Sequence, residues 1–179
     1  MSKYLIVVDM QNDFISGVLG TPEAKEIVPR VKEKIEKSIG NREIYFTLDT
    51  HYDDYLETME GKDLPLEHCI QESEGWQIAQ ELREIFDDKL AGPNLVLKET
   101  FGSPALAHKL KNINKAEKIE EIELVGLCTD ICVVSNALLL KAFLPEAVIS
   151  VDSSCCAGVT PEGHKNALEV MKTCFIKII

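Results

Sequence analysis

Six short runs rich in Val, Ile and Leu recur along the chain, separated by stretches of helical periodicity. This alternation constrains the fold more than any other feature. The runs are KYLIVV (3–8), EIYFTL (43–48), NLVL (94–97), EIELVG (121–126), AVISV (147–151) and CFIKI (174–178). Helical spacing marks about 23–38, 75–86, 103–112, 130–142 and 161–172. Thr21-Pro22-Glu23, Ser103-Pro104 and Thr160-Pro161-Glu162 each set a capping hydroxyl before a proline suited to the first helical position. Strands that are nearly all apolar must be covered on both faces, and interleaved helices supply the cover. The expectation is an α/β protein: a three-layer α/β/α doubly wound sheet of about six mostly parallel strands, one domain over 1–179. The longest irregular stretch, 50–74, is long enough to suggest a binding role.

Charge narrows the function. Lys and Arg number 19 against 30 Asp and Glu, a net −11. Nucleic acid and anionic membranes call for clustered Lys and Arg, so neither is expected as a partner. No apolar run reaches the length of a membrane span, and Asp9 interrupts the apolar start of the chain. A cytoplasmic location is expected. Six cysteines in a reducing compartment read as core, catalytic or metal residues, not as a disulfide framework.

Ligands of open parallel sheets bind beyond the carboxyl ends of the strands. Strand one ends at Asp9, strand two at Asp49 with His51 close by, strand three at Lys98, and strand four runs into Cys128 and Cys132. Thr129 can cap the helix that follows, which places Cys132 near its third residue. Helix N–H groups and the dipole there favour a thiolate and could hold an oxyanion. A cysteine nucleophile needs a base or a stabilising cation. Asp9, beside the apolar YLIVV, is suited to the first role and Lys98 to the second. Judged singly, Asp9 reads sooner as a strand-end turn and Lys98 as a surface lysine, and Cys132 as readily as a small buried side chain; four successive strand ends together favour chemistry.

Asp49 and His51, with His68 returning from the long loop, offer two imidazoles and a carboxylate. That set suits Zn²⁺, Fe²⁺ or Mn²⁺. Glu57 or Glu60 could add a fourth ligand. Cys69 reads as packing, and Cys155-Cys156 as two small buried residues in a tight loop.

The same residues carry a resemblance. Over essentially its whole length the chain resembles the isochorismatase-like cysteine hydrolases, and within them the nicotinamidases. The carriers are LIVVDMQNDF (5–14), LDTH (48–51), EHCIQ (67–71), LKETFGS (97–103) and VGLCTDICV (125–133). The resemblance implies a triad of Asp9, Lys98 and Cys132. It implies a cis peptide at Leu127–Cys128 and an oxyanion hole from the backbone amides of Cys128 and Cys132. It implies metal ligands Asp49, His51 and His68, with zinc the first choice over iron or manganese. The implied reaction is nicotinamide to nicotinate plus ammonia through a Cys thioester, as part of NAD salvage. Isochorismatases proper lack the cysteine, so Cys132 favours amide hydrolysis.

Two departures stand out. The Trp-Pro pair common before the metal histidine is Leu64-Pro65-Leu66 here, and the block after Lys98 lacks the usual Tyr-Ser-x-Phe. The substrate wall is then expected from Phe14, Leu64 and Leu66. Another small-amide or ureido hydrolase is the first alternative. A thiol redox protein or a catalytically silent binding protein is the second, and a homo-oligomer is compatible with either.

Overall fold

The structure is a computed structural model that describes residues 2–89 and 94–179. In chain order it runs β1 (Ser2–Val8), α1 (Asn12–Ile15), α2 (Pro22–Ser38), β2 (Glu43–Asp49), a 3₁₀ turn (Tyr55–Glu57) and α3 (Met59–Asp63). It continues with α4 (Gln80–Lys89), β3 (Asn94–Lys98), α5 (Pro104–Ala116), β4 (Ile119–Leu127), a π-helical turn (Thr129–Val133) and α6 (Val134–Phe143). The last elements are β5 (Val148–Ala157), α7 (Pro161–Thr173) and β6 (Lys177–Ile178).

Alternation of side chains explains the layers. On β1, Leu5 and Val7 enter one core with α2 and α4, while Tyr4, Ile6 and Val8 enter the other with α5, α6 and α7. Both faces are apolar, so the strand reads as one continuous run and is covered twice. All five strand pairings among the described residues are parallel, in the order β3-β2-β1-β4-β5-β6. The chain winds outward from β1 through β2 to β3, then crosses back and winds outward through β4, β5 and β6. The switch point lies between β1 and β4, where the connections leaving their carboxyl ends turn to opposite faces of the sheet. Gly126 is needed there. Its φ is +119°, and a Cβ at that position would lie 2.1 Å from the Val8 carbonyl oxygen across the strand pair.

The three proline-led helices begin as expected. Thr21, Ser103 and Thr160 accept from the N–H of Ala24, Leu106 and Gly163 at 3.0, 3.2 and 3.0 Å. Three expectations fail in instructive ways. The stretch 75–79 is not helical: Ala79 N–H donates to Met10 O and Gln11 bridges Ile78, so tertiary pairing delays α4 to Gln80. The Cys155-Cys156 pair is not in a loop. β5 runs on to Ala157 across a register shift, and strand alternation sends Cys155 into one core and Cys156 into the other. The last strand is only Lys177–Ile178, because Cys174 and Phe175 still bond back to α7 carbonyls. Within 50–74, the 3₁₀ turn and α3 give the long loop an internal scaffold too short to show periodicity in sequence.

Candidate active site

Four strand ends meet at the switch point. Asp9 follows β1 with φ 45°, in the left-handed region that few non-glycine residues adopt, and it is fully buried. Thr47, on the neighbouring β2, donates its hydroxyl to Asp9 Oδ1 at 2.7 Å. The Lys98 ammonium, delivered by the end of β3, lies 2.7 Å from Asp9 Oδ2, 2.8 Å from Asp49 Oδ1 and 3.4 Å from Cys132 Sγ. The buried lysine therefore joins both carboxylates to the sulfur.

Burial works against each charge, and the partners decide the outcome. Burial pushes the Asp9 carboxyl up, and the opposing pull of Lys98 does not reverse it. Lys98 would be lowered by burial, but Asp9, Cys132 and Asp49 together hold its ammonium charged. The Cys132 thiol is pushed well up, by burial first and by the Asp9 charge next. This corrects the expectation of a lowered thiol. The helix-terminus argument assumes a partly open position, whereas Cys132 is 5 % exposed with a carboxylate beside it. Burial and the neighbouring carboxylate thus both favour the neutral thiol at Cys132.

Cys132 sits in the π-helical turn, not on a regular first helical turn. The Leu127–Cys128 peptide before that turn is cis. Cys128 and Cys132 both line the same cleft.

On the other side of Lys98 the metal-type donors converge. One oxygen of Asp49, Oδ1, is taken by Lys98, which leaves Oδ2 at 3.0 Å from His51 Nε2 and 3.6 Å from His68 Nε2. Glu60 Oε1 lies 3.6 Å from His51 Nε2 and 3.8 Å from His68 Nε2. Ligand atoms of all four residues lie within 4.8 Å of one another. Of the two acidic candidates, Glu60 joins the group and Glu57 does not. The His68 Nδ1–H donates to Leu66 O at 2.8 Å, which turns Nε2 toward the cluster. Burial would raise Asp49, but the hydrogen bond from His51, the nearby His68 ring and the Lys98 ammonium hold it well below the usual carboxylate range.

These groups open into a cleft of about 400 Å³. Its apolar wall comprises Phe14, Leu19, Met59, Leu64, Phe101 and Ile131. Phe14 and Leu64 are where sequence reasoning places them. Leu66 is not among the lining residues; it is 48 % exposed, and it contributes its carbonyl to His68 instead. Sequence reasoning missed Leu19, Met59, Phe101 and Ile131, and also Gln11. The Gln11 amide clamps the backbone of Asp49 from both sides, accepting from its N–H and donating to its C=O, each at 2.8 Å. The only signal for Gln11 was its place in DMQNDF, two residues after Asp9.

Comparison with known proteins gives a consistent answer. The family model described as Isochorismatase domain matches residues 3–179. A Bacillus subtilis (strain 168) protein, named as an uncharacterized isochorismatase family protein, PncA, is 28% identical over 173 residues, 94% of this chain and 93% of its own. The crystal structure of a nicotinamidase from Bacillus subtilis matches with a TM-score of 0.82 at 27% identity, over 99% of each chain. The structure of a pyrazinamidase of Pyrococcus horikoshii in complex with zinc matches with a TM-score of 0.82 at 27% identity, over 100% of this chain and 99% of that one.

Proposed function

The chain belongs to the isochorismatase family, and from that premise we propose that it is a cysteine-dependent hydrolase of small amides, with nicotinamide its substrate and nicotinate and ammonia its products. The observation that carries this reading is the placement of Lys98 Nζ, 2.7 Å from Asp9 and 3.4 Å from Cys132 Sγ, in a cleft shared with the Asp49, His51, Glu60 and His68 donors. The similar chains named as a nicotinamidase and a pyrazinamidase support the substrate class.

Two imidazoles and two convergent carboxylates fit a divalent ion such as zinc, and Asp49, His51, His68 and Glu60 would hold it. Such an ion, when bound, supplies a Lewis-acid contact for a ring nitrogen of the substrate. The chain's own residues carry the rest. The apolar wall holds the ring and excludes water, so that the carboxamide lies over Cys132. Asp9 accepts the thiol proton, and Lys98 stabilises the thiolate that forms. A buried carboxylate held above its usual range is the better base for this step. Sulfur adds to the carbonyl carbon, and the backbone amides of Cys128 and Cys132 donate to the oxyanion, worth roughly 3–4 kcal/mol per donor. Asp9 passes its proton to the nitrogen as the C–N bond breaks, and ammonia leaves. Asp9 then takes a proton from water, whose oxygen attacks the thioester. The C–S bond breaks, nicotinate departs, and the proton returns to Cys132.

Ammonia release from nicotinamide by the purified protein, before and after chelation, tests the reading. Turnover that falls on chelation and returns with zinc is the expected result. No release from nicotinamide by the zinc-loaded protein would overturn the substrate assignment. Leu64, standing where a ring-stacking Trp was looked for, would then direct the search to other small amides and ureido compounds.

A further inference from the structure

Asn136 lies one helical turn beyond Cys132 and is 1 % exposed. A buried amide must spend its donors and acceptor inside the protein. Here Nδ2 donates to the Cys132 carbonyl at 2.8 Å and to the Phe101 carbonyl at 3.2 Å, and Oδ1 accepts from the Ser103 N–H at 2.9 Å. One side chain thus joins the nucleophile's own backbone to two backbone groups of the segment that follows Lys98. Phe101 lines the cleft, yet it is 47 % exposed. The segment is tied at one end by the Lys98 ion pairs and at the other by Asn136. A hydroxyl at 136 could still donate to the carbonyl four residues back, but its single donor would then be spent and the Phe101 carbonyl would lose its partner.

We infer that Asn136 is a positioning residue that sets the Phe101 wall of the cleft against Cys132 and so fixes how the substrate ring is held. The inference rests on the amidase reading above. Asn136→Thr keeps a donor for the Cys132 carbonyl and drops the tether to the Phe101 carbonyl. With nicotinamide, its KM rises about tenfold, the order of one net hydrogen bond, while kcat stays within about threefold. Phe101→Ala shows the same split. The double variant is no worse than either single one, because both remove the same wall.

Alkylation of Cys132, mapped by mass spectrometry, reads the same geometry without turnover. The rate for N-phenyl iodoacetamide relative to iodoacetamide falls about fivefold in Asn136→Thr and in Phe101→Ala, following the lost ring contact. If the wild type releases no ammonia but this ratio still falls, the substrate reading fails and the positioning role stands. If the ratio is unchanged in folded Asn136→Thr, or if KM holds while kcat drops with the folded fraction, the positioning role is overturned. Asn136→Ser carries the same single hydroxyl and serves as second variant should the threonine fail to fold, with the same overturning results.

Discussion

Cys132 and Lys98 touch each other, yet their replacement should have opposite signatures. Cys132→Ala removes one buried sulfur and leaves the Asp9–Lys98–Asp49 pairing intact. It should abolish turnover while lowering stability by only about 1 kcal/mol, or roughly 2–4 °C in Tm for a chain of this size. Lys98→Met removes the cation between two buried carboxylates. Leaving such charges unpaired costs about 3–5 kcal/mol, so activity and thermal stability should fall together. Calorimetry beside an ammonia assay checks both, and near-normal turnover in Cys132→Ala would sink the nucleophile assignment. At this scale the sequence is most legible where a reactive residue ends a strand, because topology alone brings Asp9, Asp49, Lys98 and Cys132 to one edge. Residues that act through hydrogen bonds to distant backbone, such as Gln11 and Asn136, leave no periodic trace. Their partners lie 38 and 33 or 35 positions away.

Between elements, α2 is fastened to the sheet by charge as well as by its apolar stripe. Lys34 lies 2.7 Å from both Glu123 on β4 and Asp152 on β5, and Arg42 reaches Glu123 at 3.0 Å and Glu121 at 2.8 Å. Burial would raise the Asp152 carboxyl, but its bonds from Lys34 and Ser154 outweigh that and lower it. A carboxyl lowered by folding contributes stability above its unfolded pKa near 3.8 and loses it as pH falls through the folded value. Lys34 is shifted upward, so its own contribution persists through the neutral range. Lys34→Met should therefore cost about 2 kcal/mol near pH 7, below the full figure for a buried pair because Lys34 is partly exposed. The gap between wild type and variant should narrow in urea titrations below about pH 3.8. A gap that stays constant across the acid range would exclude this ion pair as its source. Sequence patterns place the first four strands and the three capped helices well. They lose α1 and α3, which span 4 and 5 residues and show no period, and they end β5 early, because the shift that carries it on to Cys155 and Cys156 is a tertiary event.

At the scale of the molecule, six alternating apolar runs make a parallel sheet legible, but not its order. The order β3-β2-β1-β4-β5-β6 creates the switch point, and the switch point explains why a lysine from one edge meets a cysteine from the far side of β1. The metal-type donors come from three different segments: the end of β2, α3, and the stretch beyond it that carries His68. An ion held there would tie the long loop 50–74 to the sheet and would bind the folded chain in preference to the unfolded one. Stability should then rise with free metal as RT ln(1 + [L]/Kd), about 4 kcal/mol at a thousandfold excess over Kd, or roughly 8–16 °C in Tm. Zinc added to chelated protein should raise Tm by this order, and His68→Ala should remove most of the rise while still folding. The readout needs no substrate, so it separates the metal site from the amidase reading. An equal rise in His68→Ala would place the binding elsewhere on a chain of net charge −11, whereas its loss with one imidazole assigns the ion to the four-residue group beside Lys98.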